Sequence, residues 1–219
     1  MITSQTLEPT QVAGFNQFFD DLESTDVWSY GIALDHKFSA RLYGGVEYNR
    51  RDLNVPIPFT DPFTGLSELK REDWKERVAR AYVFWTPHDW VALSAEYQYE
   101  RFDRIEDFGF GVKEVVTHRV PLGVRFFHPS GVGAALRQTY LNQDGEFQRR
   151  GAACCEAGDS NFWLTDIALN YRLPMRYGLI TIGATNVFDK RFRYHEIDFN
   201  NPTIQPDRML FGKVTLAFP

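Results

Sequence analysis

The side chains of this sequence alternate between apolar and polar with a period of two over one segment after another. That period marks an extended strand whose two faces meet different surroundings. Val91, Leu93, Ala95, Tyr97 and Tyr99 share one parity, and Ala92, Ser94, Glu96, Gln98 and Glu100 share the other. Trp28, Tyr30, Ile32, Leu34 and Phe38 alternate with Ser29, Gly31, Ala33, Asp35 and Lys37, His36 being the one polar residue on the first parity. Val116, Val120, Leu122, Val124 and Phe126 oppose Thr117, Arg119, Gly123 and Arg125. Trp163, Ile167, Leu169, Tyr171 and Leu173 oppose Asp166, Ala168, Asn170 and Arg172, although Phe162 and Leu164 blur the start of that run. About ten segments read as strands, of which about seven alternate cleanly enough to assign faces. Segments 12–19, 74–85 and 179–187 read as strands of ambiguous facing.

The connections carry a second regularity, because short and long ones alternate. Ser39-Ala40, Thr86-Pro87-His88-Asp89, His128-Pro129-Ser130-Gly131 and Pro174-Met175-Arg176-Tyr177 are tight and rich in turn formers. Segments 53–73, 103–113, 144–160 and 191–207 are long and polar, and 20–26 is intermediate. Aromatic residues make up 16% of a chain whose mean hydropathy is still negative, at −0.37. Many of them sit near strand ends: Tyr48, Trp85, Trp90, Tyr99, Phe126, Phe127, Tyr140, Trp163, Tyr171 and Tyr177. No run approaches the roughly 18 apolar residues of a spanning helix, whereas a barrel strand needs only about 10 residues and hides its hydrophobicity by alternation. Short turns on one side, long loops on the other and aromatic girdles describe an antiparallel transmembrane β-barrel segment of about ten strands. Its short turns would be periplasmic, its long loops extracellular and both chain ends periplasmic. A soluble β-sandwich or lipocalin-like barrel could alternate in the same way, but has no reason to sort loops by length.

The C-terminal part carries more specific signals. Asn186, Val187, Phe188, Asp189, Lys190, Arg191 and Phe192 form a run that resembles the Asn-Leu-Phe-Asp-Lys-x-aromatic end of the penultimate strand in TonB-dependent outer-membrane receptors. Pro206, Asp207 and Arg208 then introduce a last alternating strand. In that strand Val214, Leu216 and Phe218 resemble the terminal signal read by the barrel assembly machinery, with Pro219 displacing the aromatic residue from the very end. Asp166 to Leu173 is similar to the strand that precedes this hairpin. The resemblance implies a barrel of about 22 strands with a plug and a TonB-contacting segment. Residues 1–219 are therefore expected to be a C-terminal barrel portion without the plug, reaching the TonB system only through that plug. No signal peptide is legible in residues 1–11, so export is expected to be encoded upstream. An isolated piece of such a wall is expected to form an open, curved sheet.

No catalytic motif is present, and the expectation is a non-enzyme without cofactor or metal. Cys154 and Cys155 read as a loop pair, and His195, Glu196 and Asp198 as a solvated loop cluster. His118, on an apolar parity, reads as an interfacial ring. A net charge of −5 without a basic cluster argues against nucleic acid as a partner. The expected setting is the outer membrane, with its lipid as partner. The expected role is uptake of a scarce nutrient such as a siderophore or cobalamin, the substrate itself not being encoded. A plug-less porin or export barrel fused upstream to a periplasmic scaffold is the alternative. Leu93, Tyr97, Ile167, Leu169, Val214 and Leu216 should face lipid, and Ser94, Glu96, Asn170 and Lys213 the lumen.

Overall fold

The computed structural model describes residues 10–12, 15–17, 24–61, 64–104, 111–148, 156–192, 194–195, 203–204 and 207–217. In chain order the strands are β1 (Thr10–Val12), β2 (Phe15–Gln17), β3 (Asp26–Ser39), β4 (Leu42–Thr60), β5 (Ser67–His88), β6 (Val91–Arg104), β7 (Gly111–Phe127), β8 (Val132–Gln148), β9 (Glu156–Arg172), β10 (Gly178–Thr185), β11 (Tyr194–His195), β12 (Thr203–Ile204) and β13 (Met209–Leu216). Nine of them form one antiparallel sheet in the order β13-β10-β9-β8-β7-β6-β5-β4-β3. It is an unbroken meander from β3 to β10, completed at one end by β13. The sheet does not close into a barrel, so β3 and β13 are open edges.

Among the described residues nine strands make the main sheet, where about ten strands were expected, and four short strands form two separate pairs. Segment 12–19, read as one strand, instead contributes to a two-stranded hairpin of β1 and β2, with Val12 opposite Phe15.

The long loops are corrected as well. Most of 53–73 is paired strand, the ladder of β4 and β5 continuing to Thr60 opposite Ser67. Likewise β8 and β9 pair out to Phe147 opposite Glu156, inside the expected loop 144–160. The connections at this end are still longer than at the other, where β3 turns into β4 through Ala40 and Arg41. Pro56 and Pro58 are compatible with a strand here because β3 stops pairing with β4 at Asn54, leaving β4 an edge beyond that point. Both prolines have one parity, so both lack their N–H on the same, open side. Pro121 has a different consequence. It lies in the interior of β7, and the pairing of β6 with β7 lapses between Ala95–Leu122 and Gln98–Arg119 and resumes in the same register.

The register fixes the faces. Trp85, Leu93, Val124, Leu136, Ile167, Ala184 and Leu210 lie opposite one another across seven strands. Tyr97, Leu169, Val214 and Leu216 share this first face, while Ser94, Glu96, Asn170 and Lys213 fall on the second. The first face is uncovered, Leu34 being 67% and Val214 63% exposed. The second face is concave. Ser94 on β6 and Phe211 on β13 line one cavity although four strands separate them.

Candidate functional site

Two levels divide the sheet. Toward the short turns, the apolar residues occupy the first face. Toward the long connections they change face. Tyr48, Ala79, Tyr99 and His118 form one row across β4 to β7 on the first face, and the next row outward is Arg50, Arg77, Arg101 and Val116. Beyond it the first face carries Asp52, Lys75, Asp103 and Glu114, and on β8 and β9 it carries Asn142 opposite Asn161 and Asp144 opposite Asp159. Here the second face becomes apolar. Leu53, Val55, Trp74, Phe102, Val112 and Val115 form a buried cluster there. Trp74 and Phe102 meet edge to face, their ring centroids 5.3 Å apart. A bulge between Val112 and Glu114 lets Val112 and Val115, of opposite parity, join one cluster.

Charged groups are buried with that cluster. Arg51 Nη1 donates to Glu76 Oε2 at 2.6 Å. Arg104 Nε and Trp74 Nε1 both donate to Glu72 Oε2, each at 2.8 Å. Glu72 is fully buried, and a carboxylate there is tolerable only because its charge is met by a guanidinium and an indole N–H. Nearer the short turns the second face is polar and more open. Arg80 bridges Glu96 at 2.7 Å and Glu47 at 3.4 Å, and the Tyr82 hydroxyl donates to Asp35. Thr181 Oγ1 donates to Asn170 Oδ1 there, whereas the buried pair in which Gln143 Nε2 donates to Thr117 Oγ1 stands just beyond the Tyr99–His118 row, beside the buried level. Ser94, Gly123, Arg125, Arg137, Asp166 and Phe211 line the cavity, of about 170 Å³, on this face.

On the first face, aromatic side chains bracket the apolar zone. Tyr48, Tyr99, Tyr140 and Trp163 lie at its outer limit, and Phe38, Trp85, Phe126 and Tyr171 near the short turns. His118 belongs to the outer set, its Nδ1 2.8 Å from the Tyr97 hydroxyl and its ring 5.4 Å from that of Tyr99. Beyond this limit, burial pushes the Asp52 carboxyl up, but hydrogen bonds from Arg50 and Tyr30 outweigh it and leave the group below its ordinary range.

The Asn186–Asp189 motif forms a compact turn after β10. Asn186 and Asp189 have φ of 48° and 52°, the left-handed region that asparagine and aspartate tolerate better than most residues. The buried Asn186 side chain closes the turn through both ends of its amide. Nδ2 donates to Lys190 O at 3.0 Å, and Oδ1 accepts from Lys190 N at 2.8 Å. Val187 N donates to Thr165 O, docking the turn on β9, and Phe188 is exposed. Asp189 Oδ1 accepts from Arg208 N, tying the start of the loop to the entry of β13. Phe192 stacks on Phe162 with centroids 4.2 Å apart. These residues thus shape the β10–β13 connection. Val214 and Leu216 lie on the exposed first face. Phe218, Cys154, Cys155, Glu196 and Asp198 lie outside the described residues, and of the cluster at 195–198 only the backbone of His195, in β11, is described. The change of face was not anticipated from the sequence, though the reversal of parity between Tyr48 and Leu53 was its signal. No family model, curated protein or solved structure matches this chain.

Proposed function

We propose that this sheet is part of the wall of an outer-membrane β-barrel. Its first face meets lipid and its second face a lumen through which solute passes. One observation carries the reading: on β4, β5 and β6 the apolar residues change face at a common row, β3 keeping Tyr30 and Trp28 on the first face beyond it. A sheet in water throughout has one apolar face, the one packed on its core. The row Tyr48–Ala79–Tyr99 followed by Arg50–Arg77–Arg101 instead suits a surface that passes from hydrocarbon through headgroups to water. Above that line the polar exterior is wetted, and the inner cluster around Trp74 holds the protruding strands together. Tyr99 to Val91 spans about 27 Å along β6 at ~3.4 Å per residue, which at the ~35–45° tilt of such strands is about 20 Å of height, inside the apolar band of about 25 Å that such barrels carry.

The finer assignment, a TonB-dependent receptor type importing a scarce nutrient, rests on the Asn186–Phe192 run and on the strand that follows it. The long connections would then be extracellular. To test the membrane reading, single tryptophans are placed at Leu34 or Ser94 in a background without other tryptophans, and the chain is refolded into vesicles containing brominated lipid. Quenching at position 34 and not at 94 is expected. Equal quenching at both, or at neither, would overturn the reading.

A further inference from the structure

On the second face, Arg51 and Arg104, toward the long connections, and Arg80, nearer the middle of the sheet, each meet a carboxylate at 2.6 to 2.8 Å, whereas Arg119, opposite Gln98, meets none at ion-pair distance among the described residues. Arg125, Arg137, Arg172 and Lys213, toward the short turns, have no carboxylate at ion-pair distance among the described residues. Their placement is regular. The register puts Arg137 opposite Gly123, Arg125 opposite Ala135, Lys213 opposite Thr181 and Arg172 opposite Leu179. These are four successive rows of one face, each a single step nearer the short turns. Asp166 is the one acidic side chain in these rows of β7 to β13. It stands opposite Arg137, yet its Oδ1 accepts the Asn186 backbone N–H at 3.0 Å.

The surface between the cations is kept low. Ser94, Gly123, Ala135 and Ala168 floor the cavity into which Arg125 and Arg137 open, and Phe211 walls it. A Cβ on Gly123 would collide with the Ser94 hydroxyl, so the floor cannot rise there without displacing a neighbour. Arg125 and Arg137 are diagonal neighbours on adjacent strands, where like charges repel. Two guanidinium forks facing one cavity are the arrangement that oxyanions select, and like charge lining a concave surface raises the local concentration of counter-ions.

We propose that this part of the second face binds an anionic solute through phosphate or carboxylate oxygens. Arg137 and Arg125 receive it, and Lys213 and Arg172 continue the attraction toward the short-turn end. The inference deepens the wall reading by naming the charge class of what passes. It depends on that reading only for the idea of passage, since binding can be measured without it.

The test uses the full chain refolded in nonionic detergent micelles, its β-structure monitored by circular dichroism, with inorganic pyrophosphate as the calorimetric probe and spermidine as its cationic counterpart. Saturable pyrophosphate binding that weakens with salt is expected, with none for spermidine. R125Q/R137Q should weaken binding at least tenfold and R125K/R137K less than the glutamine pair. D166N, which removes the lone acid, should strengthen it severalfold. R50Q/R101Q, on the other face, should leave it unchanged within twofold. Absence of saturable binding by folded wild type, or equal binding by spermidine, would overturn the proposal. If R125Q/R137Q fails to fold, the direction of the D166N effect decides, and no gain counts against the proposal. Brominated-lipid quenching of the single-tryptophan variants in vesicles reports separately on the wall reading, so a chain that binds pyrophosphate without entering lipid would lose that reading and keep this one.

Discussion

Asn186 shows how much one residue can settle. Its amide satisfies both backbone groups of Lys190, and its φ is one that a β-branched residue would resist. Asn186→Ala removes two hydrogen bonds from a buried site and should destabilise the sheet by about 1–3 kcal/mol. Urea unfolding in micelles measures this, and Asn186→Asp, which retains the acceptor, should cost less. An unchanged midpoint in the alanine variant would show that the turn does not depend on the side chain. Gly131 is a second such position: its φ is 95°, and a Cβ there would lie 2.7 Å from the carbonyl oxygen of Arg172. The Asn186 run was legible because its residue types are tied to local backbone geometry. The partners of Glu72, which lie 32 residues on at Arg104 and two on at Trp74, were not, since nothing local marks which charges a sheet will bring together.

At the scale of the strands, alternation made the faces legible wherever one parity stayed apolar. It failed where the parity inverted. On β4, Val46 and Tyr48 lie on the first face but Leu53 and Val55 on the second, so the sequence reads as a pattern that breaks down into a loop. The same inversion explains why Phe162 blurred the start of β9 and why the facing of 74–85 was ambiguous. Phe162 belongs to the second face of the outer zone, as Trp74 does. The inversion also localises a prediction about charge. Ala95→Arg lies in the middle of the first-face apolar zone, four residues from both Val91 and Tyr99, and should cost about 2–4 kcal/mol in a lipid-vesicle folding titration. Ser94→Arg, one residue along, should be tolerated, as should a charge on the first face at Asn54, beyond the Tyr48 row. Equal sensitivity at positions 94 and 95 would contradict the two-face assignment.

At the scale of the molecule, the proposed topology places the connections at 62–63 and 149–155 outside the cell and the turns at Ser130 and Met175 in the periplasm. Single cysteines at Leu66 or Gly151, with Cys154 and Cys155 removed, should react with an impermeant reagent on cells expressing a barrel that contains this wall. Reaction at Ser130 or Met175 instead would invert the assignment. The proposed orientation rests on the asymmetry of the connections alone. The openness of the sheet follows from a longer-range property, namely whether β3 can meet β13. Nine strands at ~4.8 Å spacing make an arc of about 40 Å, well short of the circumference of a barrel of about 22 strands.

That openness governs what these 219 residues do when expressed alone. In hydrocarbon, every unpaired N–H and C=O along β3 and β13 costs several kcal/mol, and β3 presents 14 residues of edge. Two escapes exist. The edges can pair with each other into a narrower barrel, which strand number alone permits, since barrels from about eight strands upward occur. Alternatively, edges of different copies can pair, which is aggregation. The edges differ in length, 14 residues in β3 against eight in β13, so mutual pairing would leave part of β3 unsatisfied. Closure would also force the concave face, already filled around Trp74 and Phe102, into a tighter curve. Pairing between copies is therefore the favoured course, so the isolated chain should enter micelles and vesicles as edge-paired oligomers that keep the two faces of the sheet, and should give no discrete conductance in planar bilayers and no heat-modifiable monomer on electrophoresis. Stepwise single-channel currents from purified monomer would show that β3 and β13 do close the ring.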